Sequence, residues 1–168
     1  GVSLILTLAI GPGAIHLLHR LRFGQYIRED GPASHISKAG TPTMGGLIFI
    51  VSLAVTTLLF AGRSINVMTA LVVTVGYGVI GFVDDFIKIV LKRPLGLKAR
   101  YKLSGEILLA VLLAVFSVYF LDRGTMVSIP FSNLEIDFGK IYYLFVVLVL
   151  VSATNAVNLT DGLDGLAA

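Results

Sequence analysis

Apolar residues in this chain come in long unbroken blocks rather than in the two- or four-residue rhythm of an amphipathic soluble fold. A helix crossing the hydrocarbon of a bilayer needs about 20 mostly apolar residues. Five stretches qualify: roughly Val2–Leu21, Thr43–Ala61, Val67–Val90, Leu103–Leu121 and Ile141–Ala156. A sixth is expected to begin near Leu159. Between them, Arg22–Pro42 is polar and broken by Gly24, Gly31, Pro32, Gly40 and Pro42, while Leu91–Lys102 is short and basic. Asp122–Lys140 holds two alternating runs, Met126–Pro130 and Leu134–Phe138, separated by Ser132-Asn133, a pattern that predicts a small β-hairpin outside the bilayer. The expected fold is therefore an all-α, multi-pass transmembrane bundle of about five helices plus the start of a sixth, with that small extracytoplasmic hairpin. Residues 1–168 are expected to form a single integral membrane domain.

Composition agrees. Of the 168 residues 56% are hydrophobic and 14% charged, with a mean hydropathy of +0.92; soluble domains carry about a quarter charged residues. The absence of cysteine excludes disulfides and thiolate metal sites. The chain opens on Gly1 with no basic segment ahead of its first apolar run and stops inside an apparent helix start at Leu166–Ala168. Both ends lead us to expect a fragment of a longer protein, and the first run is a poor signal peptide.

The net charge of +3 gains meaning from its placement. Arg20, Arg22, Arg28 and Lys38 flank the first connection, and Lys88, Lys92, Arg93, Lys98, Arg100 and Lys102 flank the third. The second and fourth have only Arg63, Arg123 and Lys140. The positive-inside rule then places the first and third connections, and the end of the fifth helix, in the cytoplasm. The basic residues face lipid headgroups, and nucleic acid is not needed to explain them.

Three polar sets fall on that same side. One is Lys38-Ala39-Gly40-Thr41-Pro42-Thr43-Met44-Gly45-Gly46, entering the second helix. Its glycines and the helix start suit an anion, although the Walker order is missing and a plain turn reads equally well. Another is Asp84-Asp85 with Lys88. Adjacent residues on a helix point about 100° apart, while Asp84 and Lys88 are spaced to pair. A snorkelling salt bridge would explain that much, but carboxylates directly behind Val79-Ile80-Gly81-Phe82-Val83 are costly and suit Mg²⁺, a metal that takes one or two carboxylates and keeps room for phosphates. The last set runs from Asn155 and Asn158 to Asp161 and Asp164. Helix capping by Thr160 or Asp161 accounts for one of these residues, not four. His16, His19 and His35 lack ligand spacing, Glu106 reads as a charge favouring the start of the fourth helix, and Gly76, Gly78 and Gly81 read as close-packing positions.

These three sets, in this order, together with Gly24-Gln25-Tyr26-Ile27-Arg28-Glu29-Asp30-Gly31 and Leu97-Lys98-Ala99-Arg100-Tyr101-Lys102, resemble the bacterial phospho-N-acetylmuramoyl-pentapeptide transferases. These belong to the polyprenyl-phosphate N-acetylhexosamine-1-phosphate transferases. The resemblance covers essentially the whole chain and corresponds to the N-terminal half of the family. It implies a Mg²⁺-dependent reaction at the cytoplasmic face of the bacterial plasma membrane, in which phospho-MurNAc-pentapeptide passes from UDP-MurNAc-pentapeptide to undecaprenyl phosphate, giving lipid I and UMP. It further implies catalytic roles for Asp84, Asp85, Lys88 and Lys102, with Asp84 and Asp85 as metal residues. Lys38, Thr43, Asn155, Asn158, Asp161 and Asp164 would bind the nucleotide substrate. A homodimer in membrane lipid is implied as well. The family's later aspartate and histidine-rich loop are absent, so these 168 residues alone are expected to be inactive. The alternatives are transfer of N-acetylglucosamine phosphate and, from another class, a membrane transporter, whose relay residues would sit near the bilayer midplane.

Overall fold

The computed structural model describes residues 1–20, 44–62, 64–91, 96–132 and 134–160. They form α1 (Val2–Arg20), α2 (Gly46–Phe60), α3 (Ile65–Val90), α4 (Ala99–Tyr119), β1 (Met126–Ser128), β2 (Glu135–Asp137) and α5 (Ile141–Thr160). Contacts divide the chain into two compact units, Gly1–Lys102 and Leu103–Ala168.

Among the described residues three helices are long and apolar enough to cross a membrane: Ile65–Val90, Ala99–Tyr119 and Ile141–Leu159. The other two expected spans are shorter. The 15 residues of α2 rise about 22 Å, against a hydrocarbon core of about 30 Å, and the apolar part of α1 is Val2–Leu18. α1 continues through Pro12, a residue that membrane helices tolerate. Burial confirms the solvent these helices are built for. Among the described residues the buried apolar side chains are Met44, Ala110 and Ala114, while Leu4, Leu8, Val72, Val79, Leu108, Leu112, Leu144 and Leu148 stand exposed. Such an outward-facing apolar surface has no stable place in water and is what lipid solvates. The chain is a membrane protein.

Within the first unit α2 packs on both α1 and α3. Gly78 makes the second contact possible, because a Cβ there would collide with the terminal methyl of Ile50. Gly81, by contrast, faces open space. Gly78→Ala should therefore be tolerated, since only the end of Ile50 has to turn. Gly78→Val should lower thermal stability in detergent by about 1–3 kcal/mol, the usual cost of overpacking. Equal melting temperatures for the two variants would show that the helices separate freely here.

In the second unit the hairpin forms where alternation predicts it, with β1 antiparallel to β2 in the register Met126↔Asp137, Val127↔Ile136 and Ser128↔Glu135. Its open end is tied by Asp137, which accepts hydrogen bonds from the Thr125 hydroxyl and from the Gly139 backbone N–H at 2.9 Å. These bonds hold the Asp137 carboxyl below the usual carboxylate range. Phe138 then stacks on Phe145, turning the chain into α5. α5 runs unbroken to Thr160, beyond the expected end near Ala156, so Asn158 is a helical residue, as Asn155 is, rather than part of a connection.

Candidate functional site

The first unit carries a charged cluster at the end of α3. Asp84 and Asp85 leave the helix at different angles, as adjacent residues must, yet Lys88 reaches both. Its Nζ lies 2.6 Å from Asp84 Oδ2 and 3.2 Å from Asp85 Oδ1. One flexible ammonium at i+4 and i+3 thus joins two carboxylates that do not share a face. The two aspartates differ in their surroundings. Asp84 is 10% exposed, and its second oxygen accepts the backbone N–H of Leu97 at 2.8 Å. Asp85 is 36% exposed.

Leu97 arrives at Asp84 through Gly96, which has φ +60°. A Cβ at Gly96 would sit 2.5 Å from Asp84 Oδ1 and 2.7 Å from Lys88 Cε. Glycine is required twice over, for the left-handed backbone and for the space. The segment pinned in this way leads straight into α4, whose first turn holds Arg100 and Lys102 and no acidic residue. Arg100 lies over the ring of Tyr101, and Lys102 is half-buried. Cations at a helix N-terminus repel the positive end of the macrodipole, an arrangement that an anion would relieve.

The aspartate pair also bears on metal binding. Among the described residues no group of three or more His, Asp or Glu side chains converges as a closed metal cage. Mg²⁺ does not need one, because one or two carboxylates and substrate phosphates suffice. Asp85 fits as the more open carboxylate. Asp84 fits less well, since the Leu97 amide and Lys88 already engage its two oxygens.

The second unit carries a separate polar pair. Glu106 lies two turns inside α4, not in its first turn, and is fully buried, which corrects its reading as a charge favouring the helix start. Its Oε2 accepts the Nδ2 amide of Asn155 at 2.6 Å, and the same nitrogen donates to the Val151 carbonyl at 2.9 Å. Sequence spacing gave no hint of this pairing, as 49 residues separate the partners. An acidic residue inside an apolar span was the available signal. Asn158 is exposed on the last turn of α5.

Of the other expected site residues, Lys38, Thr43, Asp161 and Asp164 lie outside the described residues. The end of their first segment is visible: Met44 has φ +68° and is buried, and its carbonyl accepts the Leu47 N–H at 3.1 Å as α2 begins. A non-glycine residue held there is a strained point. His16 is exposed on α1.

Comparison with known proteins places these residues in a family. Residues 67–168, which include both polar clusters, match the model of glycosyl transferase family 4. Residues 38–50 match the phospho-N-acetylmuramoyl-pentapeptide-transferase signature 1. Among similar proteins, the phospho-N-acetylmuramoyl-pentapeptide-transferase of Desulfitobacterium hafniense is 51% identical over 169 residues, covering 99% of this chain and 50% of the relative. That of Moorella thermoacetica is 48% identical over 167 residues, covering 99% and 52%. That of Desulforudis audaxviator is 51% identical over 182 residues, covering 100% and 54%. The chain thus spans about half the length of the curated relatives it matches. With more than half of its residues under the family model, the chain belongs to glycosyl transferase family 4, and the transferase signature lies ahead of that match.

Proposed function

We propose that the full-length protein transfers phospho-MurNAc-pentapeptide from UDP-MurNAc-pentapeptide to undecaprenyl phosphate, forming lipid I and UMP at the cytoplasmic face of the plasma membrane. The carrying observation is the Asp84–Asp85–Lys88 cluster, pinned to a basic segment at the end of a membrane-length helix. One substrate is a lipid and the other is water-soluble, so their phosphates must meet near a helix end.

In the reaction an oxygen of the lipid phosphate attacks the phosphorus next to the sugar. A new pyrophosphate bond forms as the phosphoanhydride to UMP breaks, and UMP leaves with the bonding electrons. Catalysis then requires in-line positioning and neutralisation of charge. Lys88 offsets one of the two carboxylate charges in the free state and is placed to turn toward phosphate oxygens. Asp84 holds Leu97, and with it the start of α4, where Lys102 adds positive charge. Asp85 is the carboxylate left open to the reacting groups. Mg²⁺, when bound, would be held by Asp85 and phosphate oxygens and would offset the charge of the pyrophosphate. Lys38, Thr43, Asn155, Asn158, Asp161 and Asp164 form the nucleotide-sugar side of the site. The functional unit is a homodimer in membrane lipid, and residues 1–168 supply only part of each site, so they are inactive by themselves.

Purified full-length protein in detergent, given undecaprenyl phosphate, should release UMP and form lipid I from UDP-MurNAc-pentapeptide only when Mg²⁺ is present. UDP-N-acetylglucosamine should not replace the nucleotide substrate. Turnover of UDP-N-acetylglucosamine instead would reassign the substrate, and inertness toward both would favour a transporter. Lipid I formation by residues 1–168 alone would sink the claim that they are inactive.

A further inference from the structure

We infer that Glu106 is a positioning residue that fixes the side-chain amide of Asn155, so that Asn155 offers its carbonyl oxygen to an N–H or O–H donor of the nucleotide sugar. The inference rests on the function proposed above, because it takes Asn155 as part of the nucleotide-sugar side.

Glu106 occupies the most expensive place for a carboxylate in the described chain. It is fully buried in a helix of membrane length, and the next buried residues on its side of α4, at i+4 and i+8, are Ala110 and Ala114. A leucine or alanine there would fold at lower cost, so the acid calls for a reason other than packing. Its bond to Asn155 supplies one. The Val151 carbonyl can only accept, so the Asn155 atom beside it must be the nitrogen. That assignment holds whether Glu106 is ionised or protonated. With one amide hydrogen directed to Val151 and the other to Glu106, both donors are committed. What Asn155 has left to offer is Oδ1, aimed in a direction set by the planar amide. Without Glu106 the amide is held by one bond instead of two and is free to rotate or flip. Asn155 is half-buried, one turn before exposed Asn158. It therefore stands where a buried support can orient a group that meets a water-soluble ligand.

The test is steady-state kinetics of the full-length enzyme with both substrates varied. Glu106→Leu should raise KM for UDP-MurNAc-pentapeptide about tenfold, the worth of roughly one hydrogen bond, with KM for the lipid phosphate and kcat little changed. Asn155→Ala should do the same, and the double variant should be no worse than either single one, because the two residues act through one contact. Glu106→Gln should bring KM back to within about threefold of wild type, since its amide oxygen accepts the same bond. Asn155→Asp should be impaired by two facing carboxylates and partly rescued by adding Glu106→Gln, whose amide donates instead, the remaining loss coming from the aspartate oxygen left against the Val151 carbonyl. This last pair decides the matter if Glu106→Leu does not fold. Three results would each overturn the inference: Glu106→Gln as damaging as Glu106→Leu, additive effects of Glu106→Leu and Asn155→Ala, or no rescue of Asn155→Asp. An inert wild-type enzyme would overturn the proposed function and this inference together. An active wild type with unchanged kinetics in Glu106→Leu would overturn this inference alone.

Discussion

Replacing Asp85 with asparagine in the full-length enzyme is expected to lower turnover by about three orders of magnitude, the scale on which pre-organised electrostatic groups act. It should leave the melting temperature close to wild type. The expectation comes from the unequal surroundings of the two aspartates. Asp84 is anchored by Lys88 at 2.6 Å and by the Leu97 N–H at 2.8 Å, whereas Asp85 is 36% exposed and shares Lys88 at 3.2 Å. An ion pair that exposed contributes about 0–1 kcal/mol, so losing it costs little folding energy. The proposed chemistry loses its open carboxylate. Asp84→Asn should differ in kind: the amide oxygen can still accept the Leu97 N–H, but the charge that holds Lys88 is gone, so both stability and turnover fall. Lipid I formation and thermal unfolding, measured on the same preparations, separate the two cases. Near-normal turnover in Asp85→Asn would remove Asp85 from the mechanism.

Gly96→Ala is expected to lower turnover about tenfold to a hundredfold and to cost about 1–2 kcal/mol of stability from the left-handed backbone. The larger effect on turnover follows from which atoms must yield. The added Cβ meets Asp84 Oδ1 and Lys88 Cε, both near the free ends of flexible side chains. Moving them is cheap for the fold, but it breaks the Leu97–Asp84 bond or the Lys88 bridge, the geometry that the site uses. Gly96→Asn distinguishes strain from space. Asparagine accepts φ near +60° better than alanine does, yet it carries the same Cβ. It should regain most of the stability and little of the turnover. Full recovery of activity with asparagine would mean that backbone strain alone makes glycine necessary.

Much of this architecture is legible in the chain, because hydropathy blocks report the lengths that lipid demands. The expected Val67–Val90 and Leu103–Leu121 correspond to helices at Ile65–Val90 and Ala99–Tyr119. The errors have a common cause: hydropathy marks where the apolar part ends, not where the helix ends. Ala99-Arg100-Tyr101-Lys102 and Val157-Asn158-Leu159-Thr160 are polar enough to look like connections but continue the helical hydrogen bonding. The Asp84–Lys88 pair follows from a local spacing and was legible for that reason. The Leu97–Asp84 bond depends on how a loop folds back, and Glu106–Asn155 spans 49 residues. Neither leaves a periodic trace in the sequence. Only the oddity of a carboxylate among apolar neighbours hinted that Glu106 had work beyond its helix.

The Lys88 bridge has a consequence for biogenesis. A nascent segment with two carboxylates at the end of its apolar run meets the insertion machinery at a penalty of about 2.5–3.5 kcal/mol for an aspartate at mid-membrane, less toward the ends. Because Lys88 lies on the same helix, within 3.2 Å of both aspartates, α3 carries its own counter-ion into the membrane. It can partition as a segment with one net negative charge at its tip before α4 follows it in the chain.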